Sequence, residues 1–279
     1  MGNMENNTQL AYRLSTADDI KTEVKQRFNV SLHSSTIRRH RQALGYEASK
    51  PQLIPHIREG NKIKRKEFCI QLRATNDSFD DVIFTDESSV QLGQNRRVVM
   101  AKVVRDARGK ILSKDVPQLQ RVKHPLKVHV WGGISRKGAT QLLVFNDIME
   151  STFYTDSVLR DTLLPAINHL YPAPATHRLW QDNDPKHTSI KARTFMDSNN
   201  INWFKTPAES PDLNMIENVW SAMKHCVGKE NPRTQNELVA TLLRFWSNHL
   251  TVDQCNRYIN HIYRVIPKVI AVDGGYSGY

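Results

Sequence analysis

The sequence is poor in cysteine and has no long apolar run. Its 279 residues include three cysteines, Cys69, Cys226 and Cys255, which lie far apart and form no CxxC pair. Zinc sites and disulfide frameworks need regularly spaced ligands, so we expect reduced core thiols instead. No segment approaches the roughly 18 apolar residues of a membrane helix, and the polar N-terminus has no signal-peptide core. These absences predict an intracellular protein without a membrane partner.

A Gly-rich phosphate loop, an internal repeat and a low-complexity segment are also missing. We therefore expect no nucleotide cofactor. Positive charge, in contrast, is abundant: the formal net charge is +11, and residues 96–137 contain twelve Lys or Arg against two Asp. This concentration favours a polyanionic partner over the alternative of a lysine-rich surface that serves solubility.

Residues 1–50 are predicted to contain two short helices in a small DNA-binding domain. Ser15 or Thr16 can cap the first helix, and Ser34 or Ser35 can cap the second. The pattern of helix, tight turn and helix is typical of a helix-turn-helix domain. The candidate DNA contacts lie on the early exposed face of the second helix, at Arg38, Arg39 and Arg41. The alternative is a solvated helix face whose arginines pair with nearby acids.

Residues 51–80 are predicted to form a linker, which contains Pro51 and Pro55, followed by a basic helix. Its outward side chains are expected to be Lys62, Lys64, Arg65 and Lys66, with Ile63, Phe68, Ile70 and Leu72 partly inward. Such a run suits phosphate contacts or a nuclear import signal, although short charged runs are most often simply solvated.

Two acidic residues stand on predicted strands of a second domain, residues 81–270, which a short tail of residues 271–279 follows. Strand alternation places Asp86 on the same face as Val82 and Phe84 and directs its rival Glu87 away. A second strand, residues 177–182, ends at Asp182. Pro185 ends that strand, so we expect Asp184 to cap a helix that begins at Pro185. Asp182 is then left without a structural role.

Divalent metals that bind phosphates need several hard oxygen ligands, so a third acid is expected. The best candidate is Glu217, which lies one turn into a helix that starts near Asn214. The alternative is a capping box between Asn214 and Glu217. The predicted order of elements in this domain begins with strands, continues with alternating helices and strands, and ends with helices. This order indicates an α/β layered fold.

Four segments in this order resemble the catalytic domain of Tc/mariner superfamily DNA transposases: FTDES, the WGG strand, QDNDPKHTS and SPDLNMIENVW. The 34 residues between Asp182 and Glu217 match the spacing of the Tc-like branch. The resemblance runs from about residue 15 to the C-terminus. It implies an RNase H-like domain, a mixed sheet flanked by helices, preceded by a helix-turn-helix domain. It also implies that Asp86, Asp182 and Glu217 are the catalytic, metal-binding triad.

The family resemblance further implies two Mg²⁺ ions per site, which Mn²⁺ can replace, and phosphodiester chemistry in two steps. Water first frees the ends of the transposable element at its inverted repeats, and the 3′-hydroxyl then attacks a TA step during DNA integration. The partners are therefore double-stranded DNA and further copies of the chain, as a homodimer or higher homo-oligomer, in the nucleus. Lys186 and His187 are candidate phosphate contacts, with helix capping or surface roles as equal alternatives. The basic segment 96–125 resembles a loop that reaches a partner subunit and DNA.

The sequence departs from the family at its beginning. The family has two helix-turn-helix subdomains joined by a basic linker, and only the later part of the second is recognisable, so we expect a truncated copy or an incomplete gene model. Met215 also stands where relatives often have Pro. Two alternatives stay open: a transposon-derived DNA-binding protein without catalytic activity, and a generic RNase H-like nuclease.

Overall fold

A computed structural model describes residues 16–47, 54–92, 101–115 and 125–279. The chain divides into two compact units, residues 1–54 and 55–279, and each is treated separately. The boundaries predicted at residues 80 and 270 fall inside the second unit and stay predictions. Ser15, Pro51 and the parts of the 96–125 segment at 96–100 and 116–124 lie outside the described residues.

The first unit contains helices α1 (Ala17–Phe28) and α2 (Ser34–Ala43). Thr16 caps α1 through a capping box with Asp19, as predicted. The prediction that Ser34 or Ser35 caps α2 is wrong, because the His33 ring accepts the Ser35 amide instead. Ser34 is used elsewhere: its hydroxyl donates to Asp18 at 2.5 Å and so links α2 to α1.

The second unit is built on a mixed sheet. Its strand order is β5-β4-β1-β7-β8, with β6 also paired to β4; β1 runs antiparallel to β4 and parallel to β7. A separate hairpin joins β2 to β3. The strands are β1 (Val82–Gln91), β2 (Lys102–Arg105), β3 (Ile111–Asp115), β4 (Lys127–Ser135), β5 (Gly138–Ala139), β6 (Leu143–Phe145), β7 (Arg178–Gln181) and β8 (Trp203–Lys205).

Helices cover both faces of this sheet. One cluster of buried side chains joins Val82 and Phe84 to α3, α6, α7, α8 and α9, and the other joins Ile83 and Leu179 to α4 and α5. Alternation along β1 therefore decides which layer each side chain enters. The helices are α3 (Glu59–Ala74), α4 (151–170, with a π-helical stretch Tyr154–Leu163), α5 (Ile190–Ser198), α6 (Ile216–Glu230), α7 (Gln235–His249), α8 (Val252–Asn260) and α9 (Ile262–Ala271).

None of the helices in the described parts of the chain is both long enough and apolar enough to cross a membrane.

Helix α3 is rotated relative to the prediction. The prediction that Arg65 faces outward is wrong, because its side chain is 0% exposed, whereas Ile63, predicted to be partly inward, is 61% exposed. Arg65 shares the buried face with Cys69 and Leu72, at a spacing of four and then three residues. The guanidinium makes two hydrogen bonds of 2.8 Å to Asp212 and another to the carbonyl of Gly274.

The start of α5 also differs from the prediction. Pro185 does not begin a helix, because residues 185–188 form a turn and α5 starts at Ile190 with Ser189 as its cap. The Ser189 hydroxyl accepts the Ala192 amide at 3.2 Å. Asp184 instead accepts the Lys186 amide at 3.0 Å, which stabilises the turn.

We expect Gly132→Ala to destabilise the second unit by about 1–3 kcal/mol. A methyl group at this position of β4 would lie 2.5 Å from the Trp246 ring. That ring cannot easily move, because it stacks on Trp220 and donates to the Thr140 carbonyl at 2.7 Å. Gly60→Ala in α3 is the control, since nothing lies within 4 Å of its added methyl group. Urea unfolding checks both; an unchanged midpoint for Gly132→Ala contradicts the packing argument.

Candidate active site

The three predicted acids line one open cleft of ≈ 310 Å³. Asp86 lies within β1, Asp182 directly follows β7, and Glu217 is in the first turn of α6. Since β1 and β7 are parallel neighbours and α6 packs on the Phe84 face of β1, the topology brings three distant parts of the sequence to the same edge of the sheet.

Asp86 and Glu217 both have raised pKa values. Burial raises the pKa of Asp86 well above its usual value, and the neighbouring charges of Glu87 and Glu217 raise it further. Burial also raises the pKa of Glu217, against the smaller opposing effects of Lys224 and the Asp86 hydrogen bond. The surroundings of both carboxyl groups therefore favour their neutral forms, and a bound cation would oppose this effect.

Asp182 is in a different electrostatic environment. Its side chain is 60% exposed, and its Oδ1 atom accepts the Asp184 amide at 3.0 Å and His187 Nδ1 at 2.7 Å. Partial burial would raise the pKa of Asp182, but the hydrogen bond and charge of His187 outweigh it and lower the pKa. Asp182 is therefore ionised at neutral pH, whereas burial raises the pKa values of Asp86 and Glu217.

His187 is buried, with 2% of its surface exposed. Its Nε2 atom is 2.9 Å from Glu87 Oε1, and the Tyr154 ring packs over it at 4.4 Å. Burial lowers the pKa of His187, but the hydrogen bonds to Asp182 and Glu87 raise it to about 9. Both ring nitrogens are occupied, so the predicted phosphate contact through His187 has no free donor in this conformation.

The other predicted DNA contacts differ in exposure. Arg38, Arg39 and Lys64 are exposed, whereas Arg41 is half-buried. Lys62 pairs with Glu59 at 2.6 Å, and Lys66 pairs with Asp273 at 2.7 Å. Lys186 pairs with Asp184 at 2.9 Å and is 17% exposed. Arg65 is buried and cannot reach a phosphate.

Asn214 does not cap α6. The residue before that helix is Met215, and it makes no side-chain cap. The Asn214 amide instead donates to the Thr85 carbonyl at 3.0 Å, so the capping-box alternative for Glu217 is wrong. Sequence reasoning missed this bridge and the contact between Glu87 and His187, because both join residues that are 100 or more positions apart.

The chemistry of the cleft fits a divalent cation. Three carboxylates supply hard oxygen donors. The buried Asn214 Oδ1 atom, at the same cleft, accepts no hydrogen bond within the described residues. In residues 16–47, 54–92, 101–115 and 125–279, no three His, Cys, Asp or Glu side chains are arranged to hold an ion as they stand. Burial raises the pKa values of Asp86 and Glu217, and a bound cation would favour their ionised forms.

The mixed sheet, its helical layers and this acidic edge define an RNase H-like catalytic domain. The family model described as "DDE superfamily endonuclease" matches residues 81–239. The Transposable element Tcb2 transposase of Caenorhabditis briggsae is 28% identical over 233 residues, which is 83% of each chain.

Two solved structures share the fold. The Mos1 transposase paired-end complex with left transposon end has a TM-score of 0.75 at 17% identity, over 98% of this chain and 79% of that one. The Mos1 mariner paired end complex with Mn also has a TM-score of 0.75 at 17% identity, over 97% and 78%. The chain therefore belongs to the DDE superfamily of endonucleases, as a DDE-type transposase of the Tc/mariner group. Such enzymes act on DNA and use divalent metal.

Proposed function

We propose that this transposase cleaves DNA at the inverted-repeat ends of a transposable element and joins the freed ends to TA target sites. The observation that carries the proposal is the convergence of Asp86, Asp182 and Glu217 on one cleft. Asp86 comes from β1, Asp182 from the residues after β7 and Glu217 from α6, so distant parts of the sequence supply the three acids.

Asp86, Asp182 and Glu217 would hold two Mg²⁺ ions, with Mn²⁺ as a substitute. When bound, such ions activate a water or a 3′-hydroxyl and stabilise the leaving oxygen of a phosphodiester. The Mos1 complex with Mn supports the choice of metal by analogy. Within this chain, the pKa values of Asp86 and Glu217 are raised, and cation binding would favour their ionised forms. Asp182 contributes a carboxylate that is already ionised.

The DNA contacts that we propose are the accessible basic side chains. Arg38 and Arg39 of α2 suit a major-groove contact, and Lys64 of α3 suits a phosphate contact. The β2–β3 hairpin adds Lys102, Arg105 and Lys114 on largely exposed strands. Because Mos1 was solved as a paired-end complex, we infer that this chain also works as a homodimer or higher homo-oligomer on two ends. We propose the nucleus as its location, since its substrate is genomic DNA.

Purified protein should nick DNA that carries the inverted repeats flanking its own gene, with Mg²⁺ or Mn²⁺ and not with EDTA. DNA with the same flanks and a scrambled repeat is the matched control. Mapping the cut ends on a sequencing gel identifies the scissile phosphates, and a plasmid target reports insertion at TA. Binding without cleavage under any metal would instead favour the non-catalytic DNA-binding protein.

A further inference from the structure

The two oxygen atoms of Asp182 have different surroundings. Oδ1 accepts both the Asp184 amide and His187 Nδ1. Oδ2 accepts no hydrogen bond from any part of the chain that the structure describes, and Asp182 lines the cleft. One oxygen is therefore held in place while the other is available for a ligand.

The side chain that holds Oδ1 is itself fixed on three sides. Glu87 Oε1 lies 2.9 Å from His187 Nε2, and the Tyr154 ring covers the imidazole. The Tyr154 hydroxyl donates to Gln181 Oε1, next in sequence to Asp182. Tyr154 and Gln181 are both buried. The exposed Asp182 carboxylate is thus hydrogen-bonded to the His187 ring, which cannot rotate freely.

Glu87 contacts His187 from the face of β1 that is opposite to Asp86. In β1, Asp86 lies on the side of Phe84 and lines the cleft with Glu217 of α6, whereas Glu87 lies on the side of Ile83 and contacts His187, which packs against Tyr154 of α4. Strand alternation therefore separates two adjacent acids into different environments. Glu87 is absent from the cleft lining that includes Asp86, Asp182 and Glu217.

We propose that His187 and Glu87 are positioning residues, which hold Asp182 so that Oδ2 faces the metal ions. This inference rests on the proposed function, because it assumes that Asp182 is a metal ligand. An exposed Asp loses rotamer freedom when it binds a ligand, which costs free energy. Fixing Asp182 in advance reduces this cost. Groups that orient metal ligands typically change metal affinity or activity by about 10- to 100-fold when removed.

Two substitutions of His187 separate the contact to Asp182 from the contact to Glu87. In His187→Asn, the side-chain amide can occupy the position of Nδ1 and still donate to Asp182. In His187→Gln, the longer amide reaches the position of Nε2 and keeps the contact to Glu87 instead. Both variants remove the ring from beneath Tyr154 and remove its charge, so these losses are common to the pair.

Mn²⁺ affinity, measured on the full chain without DNA by the electron paramagnetic resonance signal of free Mn²⁺, is the readout. We expect His187→Gln to bind Mn²⁺ about 10-fold more weakly than His187→Asn does, at similar melting temperatures. Equal Mn²⁺ affinities in the two variants would overturn the inference, whatever their stability.

Glu87 provides a second matched pair in case the buried histidine variants do not fold. Glu87→Gln keeps an oxygen acceptor for His187 Nε2, whereas Glu87→Ala removes it; both remove the charge. Weaker Mn²⁺ binding by Glu87→Ala than by Glu87→Gln is expected, and equal binding would overturn the inference.

Asp182→Asn distinguishes a failure of the proposed function from a failure of the positioning role. If it binds Mn²⁺ as wild type does, the proposed function fails; if it loses binding while the matched pairs do not differ, the positioning role alone fails.

Discussion

Asp182→Asn should abolish DNA cleavage, with the rate falling at least about 1,000-fold, equivalent to roughly 4 kcal/mol of transition-state stabilisation. A neutral amide keeps the shape of the side chain and can still accept the Asp184 amide and His187 through its oxygen. It loses the negative charge that attracts a divalent cation, and metal ions supply several kcal/mol to phosphoryl chemistry. Single-turnover cleavage of inverted-repeat DNA at saturating Mg²⁺ measures the effect.

Asp184→Asn is the matched control for this experiment. Asp184 is in the same loop, lines the same cleft and makes an ion pair with Lys186 at 2.9 Å. Its amide counterpart can still accept the Lys186 backbone N–H, so the turn should persist. We expect cleavage within a few-fold of wild type. The opposite ranking of the two variants would mean that Asp184, and not Asp182, is the essential acid of this loop.

Alternation along β1 was readable from the sequence and predicted the most informative feature of the site. It separates Asp86 from Glu87: Glu87 contacts His187, which packs against Tyr154 of α4, whereas Asp86 lines the cleft with Glu217 of α6. The mixed sheet and its flanking helices were also predicted and are confirmed by the described strand order and the likeness to Mos1. Period-two patterns are reliable here because each face of the strand packs against its own hydrophobic layer.

Helix-capping rules gave wrong predictions where a side chain contacts a residue far away in the sequence. Asp184 and Pro185 satisfy the rules for a helix start, yet α5 begins only at Ile190. His187, in the intervening turn, is hydrogen-bonded to Glu87, which lies 100 positions earlier. The Asn214 side chain likewise bonds to Thr85 rather than to its own helix. No helix-capping pattern contains such partners, so these contacts could not be predicted from spacing.

Arg65 is another residue whose partners lie far away in the sequence, and its contacts have the largest expected effect on stability. A lysine- and arginine-rich run suggests a solvated face, but the phase of α3 turns Arg65 into the core beside Asp212, 147 positions later. The side chains of this ion pair are 0% and 3% exposed. Arg65 also bonds to the carbonyls of Glu209, Gly274 and Gly275. It therefore joins α3 to the segment before α6 and to the residues after α9.

Arg65→Met should lower the free energy of unfolding of the second unit by about 3–5 kcal/mol, because it leaves the buried Asp212 carboxylate without its partner. Arg257→Met is the matched control. Arg257 pairs with Asp253 on the surface, where the side chains are 70% and 74% exposed, and such pairs contribute little. Urea unfolding followed by tryptophan fluorescence compares the two, and similar midpoints would contradict the prediction.

The same substitution should affect the cleft as well as stability. Asp212 lies between Pro211, which lines the cleft, and Asn214, which ties Thr85 to the start of α6. Losing the Arg65 contact releases this segment and, with it, the position of Glu217. We therefore expect folded Arg65→Met protein, assayed well below its melting temperature, to cleave inverted-repeat DNA more slowly than Arg257→Met. Equal cleavage rates would show that Arg65 stabilises the fold without helping to position Glu217.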